Sequence, residues 1–154
     1  QGADPVYAGS ATTVKRAISM RGVRARGIRI PQEERDRFNF VDFRRCELKN
    51  QGSIEKLLDL NARVEAAEIE MGNRAGYGIH YLEPYRGIDE NVDYDFVIMR
   101  HYYSAEMRSS IVTSSPSFRE MMNKNGFYKE FRRYAECGPE STFRVEWLYN
   151  SYQD

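Results

Sequence analysis

The chain has 154 residues, 41% hydrophobic and 30% charged, with 23 basic side chains against 23 acidic ones. That size suits one domain with a real core, and that composition excludes an intrinsically disordered chain. Balanced charge gives no global drive toward nucleic acid, and no run approaches the roughly 18 apolar residues of a membrane-spanning helix.

The balance hides a local asymmetry. Residues 1–32 hold Lys15, Arg16, Arg21, Arg24, Arg26 and Arg29 against Asp4 alone, a net of +5, so the remainder carries −5. Gly2, Gly9, Gly22 and Gly27, with Pro5 and Pro31, interrupt any long helix here. Residues 1–36 are therefore read as a basic, extended N-terminal arm, and 37–154 as the folded domain. Ala11 to Met20 has room for a helical turn or two, and Arg21 to Ile30 partly alternates, as an extended segment does. Opposite charge directs Arg21, Arg24, Arg26 and Arg29 toward acidic surface, on this fold or on a neighbouring subunit. The chain begins at Gln1 and not at Met, which implies processing. A start of small residues fits a mature secreted product, though a tag scar fits as well, so a secreted or periplasmic location is expected.

Phe38 to Leu48 is an aromatic-rich strand, followed by a turn at residues 50–52. Ser53 to about Met71 is helical: Ile54, Leu57, Leu58, Val64 and Met71 form one stripe, diluted by Asn61 and Glu68. Ser53 suits the N-cap, and Glu55 the positive helix end. Tyr77 to Tyr85 reads as a second strand, closed near Pro84, and Arg86 to Asn91 as a charged loop. Tyr94 to Tyr103 is a third strand. Residues 104–115, rich in serine, read as a long connection. Pro116 opens a helix that runs to about Asn123 and stops by Gly126. Phe127 to Glu136 fits helix or strand. Thr142 to Tyr149 alternates Phe143, Val145, Trp147 and Tyr149 against Arg144 and Glu146, as an edge strand does.

Two stretches resemble two others in the same order. Residues 38–45 align with 94–101, and 70–77 with 120–127. An internal repeat of two β-α-β halves gives the ferredoxin-like arrangement, an α+β fold with an antiparallel sheet and two helices on one face. Its strand order sets the first strand of the domain beside the last. Cys46 ends the first and Cys137 precedes the last, so the topology brings these two cysteines within bridging distance.

With these elements in place, residues 37–150 resemble the dimeric α/β-barrel superfamily. The resemblance lies in the strand Phe38 to Leu48, the helix Ser53 to Met71, the strands Tyr77 to Tyr85 and Tyr94 to Tyr103, the second helix and the strand Thr142 to Tyr149. It implies subunits that pair their sheets into a barrel. The family includes cofactor-free monooxygenases and haem-using enzymes, so it implies no single reaction.

No nucleophile triad, phosphate loop, paired catalytic carboxylates or CxxC motif is present. His80 and His101, on two predicted strands, lack the spacing of a zinc site, and neither metal nor cofactor is expected. Phe96, Ile98, Arg100 and Tyr102 share one face of the third strand; Val97, Met99, His101 and Tyr103 share the other. His80, Arg100, His101 and Tyr102 are the candidate polar groups of a small-molecule pocket between sheet and helices. Two readings follow. One is a secreted or periplasmic protein that binds or converts a small molecule there, with a reaction the sequence does not assign. The other is a non-catalytic subunit of an assembly, a homo-oligomer or a larger complex, joined through the arm and the Tyr-rich surface. Nucleic acid is not an expected partner, because the remainder is acidic.

Overall fold

The computed structural model of the chain describes residues 19–28, 38–72, 76–86, 92–112 and 116–146. The elements, in order, are β1 (Ser19–Ile28), β2 (Phe38–Leu48), α1 (Ile54–Glu70), β3 (Tyr77–Arg86), β4 (Phe96–Tyr102), α2 (Ala105–Val112), α3 (Pro116–Lys124), α4 (Phe127–Tyr134) and β5 (Ala135–Glu146). The strands form one five-stranded sheet in the order β1-β3-β4-β2-β5. Every neighbouring pair is antiparallel. The last four strands of that order are the ferredoxin-like arrangement, with the domain's first and last strands side by side. Cys46 lies opposite Cys137 in the ladder, and the two form a disulfide.

Alternation along β2 explains which way the sheet faces. Phe40, Cys46 and Leu48 point to the helices and join a core with Leu57 of α1 and Tyr77, Ile79 and Tyr81 of β3. Helix α1 starts where its cap predicts: Ser53 Oγ accepts from Lys56 N at 3.3 Å. Its buried stripe is Leu57, Leu60, Asn61, Val64 and Glu68. Asn61 and Glu68 thus belong to the buried face, whereas Met71 is 42% exposed at the helix end. Asn61 donates to Tyr81 Oη at 2.5 Å and to Leu57 O at 2.7 Å, and Tyr77 donates to Glu68. These contacts satisfy polar groups that burial would otherwise leave costly.

The second crossover differs from a single helix in a long connection. Residues 105–112 are helical because Ser104 caps them, its Oγ accepting from Met107 N at 3.0 Å. Serine favours caps as well as loops, and composition alone read the stretch as a connection. Phe127–Tyr134 is a helix and not a strand. Phe127 and Phe131, one helical turn apart, both enter the α1–α3–α4 core. Gly126 turns the chain from α3 into α4 with φ of 69°, a left-handed conformation that glycine adopts without strain. Arg63 of α1 forks onto Glu130 of α4, at 2.6 and 3.1 Å. The repeat between residues 70–77 and 120–127 is thus not a structural equivalence, for Tyr77 opens a strand and Phe127 opens a helix.

β5 starts at Ala135, earlier than its alternation indicates, and carries an irregularity opposite Arg45, where Gly138 and Pro139 lie. Proline is tolerated there because β5 is an edge strand. The predicted strand end beyond Glu146, most of the predicted helical turn at residues 11–20 and the loop at residues 87–91 lie outside the described residues.

Part of the predicted arm is sheet. Residues 19–28 form β1 and pair with β3. Arg24 Nη2 donates to Glu65 Oε1 at 2.7 Å, and Arg26 Nη1 to Glu68 Oε2 at 2.9 Å. Gly27 N also donates to Glu65 Oε1, at 3.0 Å. The acidic partner of these two arginines is therefore α1 of the same chain. Arg21 is exposed on β1, and Arg29 lies outside the described residues.

The disulfide closes a loop with a sequence separation of 91 residues. Constraining the unfolded chain over such a loop contributes about 2–4 kcal/mol. Reduction, or the double variant Cys46→Ala/Cys137→Ala, is expected to lower unfolding stability by about that amount, read from urea denaturation.

Candidate functional site

β2, β4 and β5 set three polar residues in one row on the helix side of the sheet. Asp42 lies opposite Arg100 on one flank and Thr142 on the other. Helix α2 supplies a fourth residue, Arg108, from above. Asp42 Oδ1 accepts from Thr142 Oγ1 at 2.7 Å and from Arg108 Nη2 at 3.2 Å. Arg108 Nη2 also donates to Thr142 Oγ1 at 2.8 Å. The guanidinium of Arg108 lies against the rings of Phe40 and Tyr102, its Cζ 5.9 Å from each centroid. Arg100 Nη1 donates to Tyr102 Oη at 3.1 Å and lies 3.7 Å from Glu140 Oε2.

Burial sets the electrostatics. Asp42 is 2% exposed, so its carboxylate depends on the two arginines beside it. Its Oδ2 is buried without a hydrogen bond of ordinary geometry among the described residues, while the Tyr102 phenol interacts with this carboxylate. Burial pushes the Tyr102 phenol up to about 12, against the pull of Arg100. Burial also pulls on Arg100, but Tyr102, Glu140 and Asp42 together hold its guanidinium above the ordinary arginine value. At neutral pH the row therefore presents a neutral phenol and a charged guanidinium.

The histidines lie elsewhere. His80 and His101 stack with centroids 5.5 Å apart, and His101 meets Tyr103 edge-on at 5.0 Å. They sit on the face turned away from the helices, beside Val41, Phe43, Met99 and Phe143, which their ladder positions place there. Gly78 makes this stack possible: a Cβ there would meet His101 Cε1 at 2.2 Å. The structure thus joins Arg100 to Tyr102 and His80 to His101, but puts the sheet between the two pairs. One pocket cannot hold all four, because neighbours along a strand point to opposite faces. Among the described residues, no three His, Cys, Asp or Glu side chains converge as metal ligands do.

Asp42, Arg108 and Thr142 were not singled out from the sequence. Asp42 did carry a signal: it shares the helix-facing parity of Phe40 and Cys46, and a carboxylate at such a position requires a cation. Arg108 was hidden inside a stretch read as a loop.

The sequence matches no family model and no curated protein. Among solved structures it is similar to a dimeric protein of unknown function and ferredoxin-like fold from Bacteroides fragilis NCTC 9343. The two are 10% identical, the match covers 73% of this chain and 99% of that one, and the TM-score is 0.34. The ferredoxin-like assignment stands on the strand order itself.

His80 gives a pH prediction. Burial, with Arg24 nearby, lowers its pKa from the ordinary 6.5. The unfolded state then binds a proton more readily than the folded one, so stability falls as pH drops from about 6.5 through the lowered value. Urea midpoints between pH 7.5 and 5 are expected to fall less steeply in His80→Gln than in the unaltered protein.

Proposed function

We propose that this chain is a secreted or periplasmic protein that binds or converts a small polar molecule between its sheet and α2. Asp42, Arg100, Tyr102, Arg108 and Thr142 supply the contacts. One observation carries the reading: Asp42 Oδ2, a buried carboxylate oxygen without a hydrogen bond of ordinary geometry among the described residues, beside two arginines. An unpaired buried acceptor is costly, and a ligand hydroxyl or amine removes that cost. The arginines offer further donors to a ligand carbonyl or carboxylate. The disulfide supports an oxidising compartment, where such bonds persist. No helix among the described residues is long and apolar enough to cross a membrane.

A homodimer of the barrel type is part of this reading. The face turned away from the described helices carries Val41, Phe43, Met99 and Phe143, and Phe143 is 53% exposed. A second copy covering that face removes apolar surface from water. The alternative of an assembly joined through the arm is less favoured, because Arg24 and Arg26 are paired within their own chain.

Native mass spectrometry on protein purified from its source tests the reading. A mass in excess of the oxidised polypeptide is expected, lost in Asp42→Asn and in Arg100→Gln and kept in His80→Gln. A bare polypeptide mass, or an excess that survives both site variants, refutes it. The same spectra report the dimer, and Phe143→Arg is expected to convert it to monomer; a monomer in the unaltered protein removes the barrel from the proposal.

A further inference from the structure

Helix α2 is held to the sheet in an unusual way. It has eight residues, too few to persist alone in water. Its packing is against β2 and β4. The described side chains of this helix, those of residues 105–109, lie outside both apolar cores. A polar contact ties residues 105–109 to the sheet. Arg108 reaches Asp42 Oδ1 and Thr142 Oγ1 while its guanidinium covers Phe40 and Tyr102. Arg108 itself stays 26% exposed over a carboxylate that is 2% exposed. Beneath it lies Tyr102, with no exposed surface at all.

We propose that α2 is a cover over the Asp42–Tyr102 site, latched by Arg108 on Asp42 and Thr142. The proposal rests on the reading of that site as the small-molecule site and adds how it is reached. A charge-assisted latch differs from apolar packing in one respect: a ligand can compete for it directly. A small molecule that brings a hydroxyl or amine to Asp42 weakens the hold on Arg108, and α2 lifts without disturbing the core beneath α1. An apolar anchor has no such release, because no polar ligand replaces it. Once lifted, a helix this short loses its own hydrogen bonds, so opening and local melting coincide.

Two readouts on the full-length, ligand-free chain test the latch in Arg108→Gln. Hydrogen exchange across residues 104–109 is expected to speed up by about tenfold or more, given the ordinary strength of a hydrogen bond to a charged group. Nitration of Tyr102 by tetranitromethane, located by mass spectrometry, is expected to rise in parallel. Tyr81, 1% exposed beneath α1, serves as the internal control and keeps its low reactivity. No change at Tyr102 and residues 104–109 overturns the proposal. If Tyr81 and α1 also open, the variant has lost the domain, and Thr142→Val decides. That variant removes one of the latch contacts and leaves the Arg108–Asp42 pair. A rise confined to Tyr102 and residues 104–109 then supports the latch, and any other pattern overturns it. Because no ligand is needed, this outcome is separable from recovery of a bound molecule.

Discussion

The register of β2 is the constraint on which the rest depends. β2 is paired on both flanks, with β4 and with β5, so it cannot slide without breaking two ladders. A slip of one residue would send every side chain to the opposite face. Phe40 would leave the core, Cys46 would no longer oppose Cys137, and Asp42 would turn away from Arg108. The disulfide, the core and the candidate site are therefore three consequences of a single pairing. The covalent bond between β2 and β5 reinforces that pairing from the bulged end, four residues along β2 from Asp42.

The polar groups inside the molecule follow one rule, that a tyrosine hydroxyl buried against α1 is met by a polar residue of α1. Tyr81 meets Asn61 and Tyr77 meets Glu68, while Arg26 of β1 joins the second pair. A tyrosine brings large apolar area to a core, but its hydroxyl needs a partner there. Burial also lifts these phenols, Tyr81 to about 12, so they remain neutral hydrogen-bonding groups at physiological pH. The abundance of tyrosine thus has a structural meaning: Tyr77, Tyr81 and Tyr102 are core residues. The same rule ties β1 to the domain, because Glu68 serves Tyr77 and Arg26 together.

Much of this was legible in the sequence. Aromatic richness located β2 to the residue, periodicity and capping located α1 from its Ser53 cap, and the order of elements placed Cys46 beside Cys137. Those features depend on local chemistry or on topology, and a single chain reports both. What escaped depends on which residue meets which. Asn61 and Glu68 look like polar faults in an apolar stripe until the tyrosines of β3 are set beneath them. Residues 104–115 look like a loop because serine serves caps and loops alike. Arg108 has no distinguishing neighbour in sequence, and it becomes a site residue only when α2 crosses over β2. The likeness of residues 70–77 to 120–127 misled in the opposite direction: similar sequences lead into a strand in one half and a helix in the other. Tertiary context decided between them, because Phe127 and Phe131 find a core with Leu60 and Val64 of α1 and have no adjacent strand to pair with.

The separation of the two polar pairs by the sheet follows from strand geometry alone. Arg100 and Tyr102 share their face with Asp42, and Tyr102 lies against Arg108 of α2. His80 and His101 share theirs with Val41, Phe43 and Phe143, a surface with an apolar character. A strand that carries Arg100, His101 and Tyr102 in succession must distribute them in this way, whatever the rest of the chain does. The histidines therefore share no face with Asp42. On the Asp42 face, a Tyr102 phenol held near 12 by burial stays a neutral hydrogen-bonding group at physiological pH.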